Sequence, residues 1–263
     1  MKKIIAIVLT LMLVLALGAS AESVTFKMGF DAEYPPYTYM GDDGEYTGFD
    51  IEMCKAVCEK LGWDLELVPI NWDTKLVTLN AGEIDCIWSG LTIDVLNPEE
   101  YTLSMAYSDN TQMILTKADS GITTLADLAG KVVGVQLGTS ADLLLQDEEG
   151  QKALADTFAN GEPMRFSDYN TCFTELMAGS IDAIAIDIGV AANKIAEYGD
   201  EYVMLDESIA AEQYGICFRK DDADMCAQVE VAIMELVEDG TYLSLAEKYE
   251  LDVNALCLLN AAE

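Results

Sequence analysis

The strongest constraint in this chain is a unit that occurs twice. Ala81-Gly82-Glu83-Ile84-Asp85 leads into Cys86-Ile87-Trp88, and Ala178-Gly179-Ser180-Ile181-Asp182 leads into Ala183-Ile184-Ala185. In each copy a helix stops at a glycine, an Ile-Asp pair follows, and an apolar run reads as a buried strand. A fold that repeats such a unit builds two similar lobes. Each lobe then has a strand ending in polar residues, Ser89-Gly90-Leu91-Thr92 in one and Asp187 in the other. Polar strand ends facing each other across a cleft suit the binding of a small ligand.

The rest of the chain supports an α/β reading. Alternation of Val24, Phe26, Met28 and Phe30 predicts a strand, stopped by the paired prolines Pro35 and Pro36. Gly41-Asp42-Asp43-Gly44 reads as a tight turn. Asp50 is placed as the N-cap of a helix to Leu61, with Gly62 ending it. Strands over 65–69 and 84–88 flank a short helix over 73–80, which gives a parallel layer. The strand over 84–88 is expected to leave its sheet at Ser89. By itself the small polar run after it reads as an ordinary turn.

After a strand over 111–116, the loop 117–121 could mark a boundary, and a second α/β set begins. It comprises strands near 131–135, 163–166, 181–186 and 201–205. Its helices lie over 138–147, 152–158, 171–177 and 189–198. A strand over 213–218 and helices over 223–238 and 242–249 complete the chain.

Composition narrows the chemistry. There are 47 acidic residues against 14 basic ones, a formal charge of −33. Such a surface repels nucleic acid and anionic lipid and favours cationic or zwitterionic ligands. There is no histidine, which excludes Ser-His and Cys-His nucleophile pairs and imidazole metal sites. The seven cysteines include no CxxC spacing, so they read as small buried hydrophobes rather than a zinc site or disulfide framework. No cofactor is expected. Met1-Lys2-Lys3, the uncharged run 4–17 and Ala19-Ser20-Ala21 have the layout of a signal peptide, residues 1–21, so the protein is expected to be exported.

Several short motifs resemble one family, the amino-acid-type periplasmic solute-binding proteins of ABC importers. They are Asp31-x-x-Tyr-Pro-Pro-Tyr37, Gly48-Phe-Asp-Ile51, Gly82-x-Ile-Asp85 and Ser89-Gly-Leu-Thr92. Gly134-Val-Gln-x-Gly-Thr-Ser140, Ile181-Asp-x-x-x-x-Asp187, Gln213-Tyr-Gly-Ile216 and Asp239-Gly-Thr241 follow in the family's order. The resemblance implies a two-lobed, hinge-closing type II binding fold, each lobe an α/β sheet flanked by helices. Residues 22–111 and 215–263 would form lobe 1 and residues 112–214 lobe 2. Two separate sheets would be joined by crossing segments near residues 110–113 and 212–215, with residues 223–249 packed on lobe 1. The implied partners are a small amino acid or amine ligand and an ABC permease in the membrane, with the receptor itself a monomer.

The same resemblance implies the site. Asp31 and Tyr34 line lobe 1, with Trp72 as a second aromatic wall and Ser89 beside the strand end. Gly90 and Thr92 bind the ligand's α-carboxylate, while Thr139 and Ser140 lie at a helix start that attracts an anion, and Gln136 is a further ligand contact. Asp187 takes the α-ammonium; its plainer role is to cap the following helix. Tyr34 and Trp72 have an equally plain role as core aromatics. One position departs from the family: Asn97 stands where an arginine usually grips the carboxylate. The ligand then either relies on backbone N–H groups or lacks that carboxylate. A competing class is a dehydratase-like enzyme on the same fold, with Asp31, Glu33 and Asp187 as acid–base groups.

Overall fold

The computed structural model describes residues 23–259, so the expected signal peptide lies outside the described residues. Chain order runs β1 (Thr25–Phe30), β2 (Glu33–Tyr34), β3 (Thr38–Met40), β4 (Tyr46–Thr47), α1 (Phe49–Leu61), β5 (Asp64–Pro69), α2 (Lys75–Asn80) and β6 (Cys86–Thr92). It continues with β7 (Tyr101–Leu103), β8 (Ser108–Lys117), β9 (Val133–Gln136), α3 (Ser140–Leu144), α4 (Lys152–Ala155), β10 (Met164–Phe166), α5 (Tyr169–Ala178) and β11 (Ala183–Asp187). Last come α6 (Ile188–Tyr198), β12 (Tyr202–Met204), β13 (Ala210–Arg219), α7 (Ala223–Glu238) and α8 (Thr241–Lys248).

The strand order β10-β9-β11-β8-β13-β6-β1-β5 reads as a near palindrome. In one half, β1 pairs in parallel with β5 and β6, and β6 pairs antiparallel with β13. In the other, β9 pairs in parallel with β10 and β11, and β11 pairs antiparallel with β8. The two halves are the two lobes. They do not form separate sheets, as the sequence led us to expect. The crossing strands β8 and β13 pair with each other, with Ser108 opposite Tyr214 and Gln112 opposite Ala210. This ladder makes the hydrogen-bonded path continuous from one lobe to the other.

The repeated motif has one structural role in both lobes. Asp85 and Lys27 exchange two bonds: Asp85 N–H donates to the Lys27 carbonyl at 2.8 Å, and Lys27 N–H donates to the Asp85 carboxylate at 2.9 Å. Asp182 and Val132 do the same, at 2.8 Å each way. Each aspartate thus fastens the start of its own strand to the parallel strand beside it, β1 or β9. Gly82 and Gly179, at φ 75° and 78°, make the left-handed exits that bring each aspartate there.

Three local expectations are corrected. Asp50 does not cap α1; it lies inside the helix, fully buried. The chain enters α1 through Gly48 at φ 123°, which frees Asp50 to point inward. β6 does not leave the sheet at Ser89 but runs on to Thr92, because Leu91 and Thr92 pair with Gly215 and Tyr214 across a register shift in β13. The loop 117–121 is not a boundary, since β12 pairs with β8 as far as Lys117 and Ala118 N–H bonds the Glu201 carbonyl. The small β2-β3-β4 sheet went unread because its strands have two or three residues each. Helix α7 packs on α1, β7 and β13, and α8 on α1. One hydrophobic core holds Phe26, Met28 and Phe30 with Phe49, Ile233 and Leu236.

The clamps give a direct test. Asp182→Ala removes the side-chain partner of the half-buried Val132 N–H and should cost about 1–3 kcal/mol in urea denaturation. A loss under about 0.5 kcal/mol would mean that water replaces the carboxylate without penalty.

Candidate functional site

The strand ends of both lobes enclose a cavity of about 60 Å³. Lobe 1 lines it with Asp31, Tyr34, Trp72, Ser89, Gly90 and Thr92, and the opposite wall carries Gln136, Thr139, Ser140 and Asp187. A larger hollow of about 420 Å³ lies between the start of α6 and residues 249–252, and none of the predicted site residues borders it.

Asp187 ends β11 and is buried. Its Oδ1 accepts from Asn110 Nδ2 at 2.7 Å, Gln112 Nε2 at 2.5 Å and the Tyr214 hydroxyl at 2.8 Å, and its Oδ2 from the Tyr169 hydroxyl at 3.1 Å. The side chain makes no cap bond to α6. Neutral donors therefore cradle a buried carboxylate whose charge no cation in that set balances. The Tyr214 hydroxyl also meets that of Tyr34 at 2.7 Å, and the Tyr34 ring stacks on Tyr37 and Tyr169 at 5.5 and 6.1 Å. This aromatic group carries the core across the cleft.

Asp31 faces the other lobe. Its Oδ2 accepts from Gln136 Nε2 at 2.6 Å and its Oδ1 from Glu33 N–H at 2.9 Å. Burial raises its carboxyl above the usual range, against the pull of those donors. Two further bonds cross the cleft: Asn170 Nδ2 to Glu33 at 3.0 Å, and Lys75 Nζ to the Gly138 carbonyl at 2.6 Å. Lys75 also lies 4.7 Å above the Trp72 ring. Burial lowers its ammonium to about 8.

The hydroxyl end holds what the sequence alone did not reveal. Glu212, on β13, is buried, and its Oε1 accepts from Thr92 Oγ1 and Asn110 Nδ2 at 2.7 Å each, Gln112 Nε2 at 2.8 Å and Ser140 Oγ at 3.1 Å. Asn110, Gln112 and Glu212 come from the crossing strands. The only available signal was period two, which puts Ser108, Asn110 and Gln112 on one face of a strand. Lys75, three residues after Trp72, had no signal beyond its helical spacing.

The remaining predicted residues sort by what they bond. Thr139 caps α3, accepting from Asp142 N–H at 3.3 Å and donating to the Gln136 carbonyl at 2.8 Å. Ser89 Oγ accepts the Asp31 N–H at 3.2 Å and meets Thr38 Oγ1 at 2.6 Å, so it braces Asp31. Gly90 does not offer its N–H to the cavity, because Asp50 accepts it at 2.6 Å. Gly90 has φ 51°, and a Cβ there would lie 2.5 Å from Tyr34 Cε1, so this glycine makes room for the aromatic ring. Asn97 is not brought to the cavity at all. It is exposed, donating to Glu100 Oε1 at 2.9 Å and accepting Glu99 N–H at 3.0 Å. An asparagine ahead of Pro98 closes its own turn instead of reaching inward.

The chain matches the family model of bacterial extracellular solute-binding proteins, family 3, over residues 26–252. It is 32% identical over 231 residues to the L-cystine-binding protein TcyJ of Escherichia coli, covering 87% of this chain and 83% of that one. A substrate-binding protein of an ABC uptake transporter from Streptococcus pneumoniae, solved with bound histidine, superposes with a TM-score of 0.81 at 31% identity, covering 86% of this chain and 92% of that one. An ancestral amino acid-binding protein, a precursor of cyclohexadienyl dehydratase, gives a TM-score of 0.76 at 31% identity, with 86% and 95% covered.

Two outcomes test this geometry. Burial lifts the Asp50 carboxyl to about 7 from its usual 3.8. The folded state therefore binds more protons than the unfolded chain between those values, and this contribution to stability falls as pH rises through about 7. Asp50→Asn should gain stability relative to wild type between pH 5 and pH 8, on the order of 2–3 kcal/mol by urea titration. A constant difference would place the carboxyl in solvent. Asn97→Ala, in turn, should leave the affinity for a bound solute within about twofold, well below the loss of a charge-assisted contact.

Proposed function

The chain belongs to family 3 of the bacterial extracellular solute-binding proteins, and we propose that it is the exported receptor of an ABC importer. On this reading it closes on an amino acid or related small amine and docks as a monomer on a membrane permease. The single observation that carries the reading is Asp187: a buried carboxylate held by four neutral donors at the cavity. An unbalanced charge in such a place is costly, and a solute ammonium supplies the missing counter-charge. Asp31, Tyr34 and Trp72 then serve as the lobe 1 wall, and Thr92, Gln136, Thr139 and Ser140 as its polar facing.

We assign residues 22–111 and 215–263 to lobe 1 and 112–214 to lobe 2, with the β8–β13 ladder as the hinge. A cavity of about 60 Å³ is far below the several hundred Å³ of ordinary ligand pockets. A solute therefore enters only when the lobes part and the Asp31–Gln136, Lys75–Gly138 and Glu33–Asn170 bonds break. Solute that favours the closed form shifts the population, and the permease reads that shift. Among the described residues no helix is long and apolar enough to cross a membrane.

Titration calorimetry over the standard amino acids and small amines should find at least one tight binder, and small-angle scattering should show compaction on binding. Asp187→Asn should weaken that binder by more than tenfold while leaving the melting temperature of the free protein within a few degrees. Equal affinity would return Asp187 to a purely structural role. Turnover of a prephenate-like acid by the purified protein would favour the enzyme reading instead.

A further inference from the structure

The hydroxyl end of the cavity is not built to receive a carboxylate. Thr92 and Ser140 each own one hydroxyl proton, and both direct it at Glu212 Oε1, at 2.7 and 3.1 Å. Thr92 Oγ1 also lies 3.3 Å from Ser140 Oγ, which accepts from Gln112 Nε2 at 3.0 Å, so neither hydroxyl has a proton left for a solute. The amides of Asn110 and Gln112 turn their NH₂ groups toward Asp187 and Glu212, which leaves their oxygens pointing elsewhere. Four buried side-chain oxygens lack a hydrogen-bond partner: Gln136 Oε1, on a residue that lines the cavity, and Asn110 Oδ1, Gln112 Oε1 and Glu212 Oε2, on crossing strands that bond the lining residues Thr92, Ser140 and Asp187. All four are acceptors. Gln136, 1% exposed, lines the cavity itself.

Charge points the same way. Asp31, Asp187 and Glu212 are three carboxylates at one cleft, and the ammonium of Lys75 is bonded to the carbonyls of Trp72 and Gly138, not to any of them. A solute carboxylate placed against Thr92 and Ser140 would meet Glu212 in place of donors, and Asn97 faces solvent where an arginine would have helped. A donor-rich cation there would satisfy Glu212 and the orphaned oxygens together.

We propose that Glu212 makes the hydroxyl end a second cation subsite, so that the preferred solute carries a cationic group at each end and no α-carboxylate. This deepens the receptor reading and rests on it. Asp187 takes one cationic group, and Glu212, reached past the hydroxyls of Thr92 and Ser140, takes the other. Burial and the neighbouring charge of Asp187 raise the Glu212 carboxyl above its usual range, as suits a group that gains from a nearby cation.

Matched pairs differing only in the α-carboxylate give the test: lysine against 1,5-diaminopentane, and arginine against agmatine, by titration calorimetry on the mature chain. In at least one pair the decarboxylated member should bind ten times tighter or more. Glu212→Gln, which keeps the shape and removes the charge, should weaken that member by more than tenfold and close the gap within the pair. If the amino acid binds tighter than its decarboxylated partner in both pairs, or if Glu212→Gln leaves the gap unchanged, the second subsite is wrong and the receptor reading stands. Binding of neutral amino acids alone would overturn the subsite in the same way. If no amine and no amino acid binds, the receptor reading itself fails.

Discussion

Two buried carboxylates, Asp187 and Glu212, share the amide N–H groups of Asn110 and Gln112 at the line where the two lobes meet. The architecture of the cleft follows from this arrangement. Charges this deep are tolerable only when donors surround them, and here the donors come from the crossing strand β8, from Tyr214 on β13, from Thr92 on lobe 1, and from Tyr169 and Ser140 on lobe 2. The packing around the cleft then has to keep those donors aimed. Tyr34 does so by stacking on Tyr37 and Tyr169, with Tyr214 edge-on to Tyr37, and Gly90 makes way for the Tyr34 ring. Behind them, Asp50 holds the backbone of Gly90 and the hydroxyl of Tyr107 at 2.6 and 2.8 Å.

Much of this could be read without coordinates, and the limit has a physical cause. The repeated Gly-x-Ile-Asp unit foretold two lobes because each copy is local: one helix stop, one aspartate, one strand. Residues at the ends of those strands, such as Thr92 and Asp187, came with it. Asn110, Gln112 and Glu212 did not, because their role exists only once two strands a hundred residues apart lie side by side. None of the three has a periodicity that distinguishes a cleft from solvent. Asp50 misled for a related reason. An acid two residues past a glycine reads as a helix cap, and only the φ of Gly48 and the position of Gly90 turn it into a core ligand.

Asn97 teaches the complementary lesson. The family resemblance put it at a binding position, but Pro98 and the two glutamates that follow give the asparagine nearer partners. Side chains that close their own turns compete with any distant site, and over a span of three residues the turn wins. The departure from the expected arginine is therefore a change in how the loop is made as well as a lost charge.

The in-register pairing of β8 and β13 has a mechanical consequence. In a rotation of one lobe against the other, a point moves in proportion to its distance from the axis. With the ladder as the axis, Asn110 and Glu212, facing each other across it, barely travel, whereas Asp31 and Gln136 sweep the full arc. The floor of the cleft is then already assembled when the mouth is open, and only the rim is put together by closing. On the proposed reading recognition divides in time: the fixed charges select what may settle, and the moving walls report that something has.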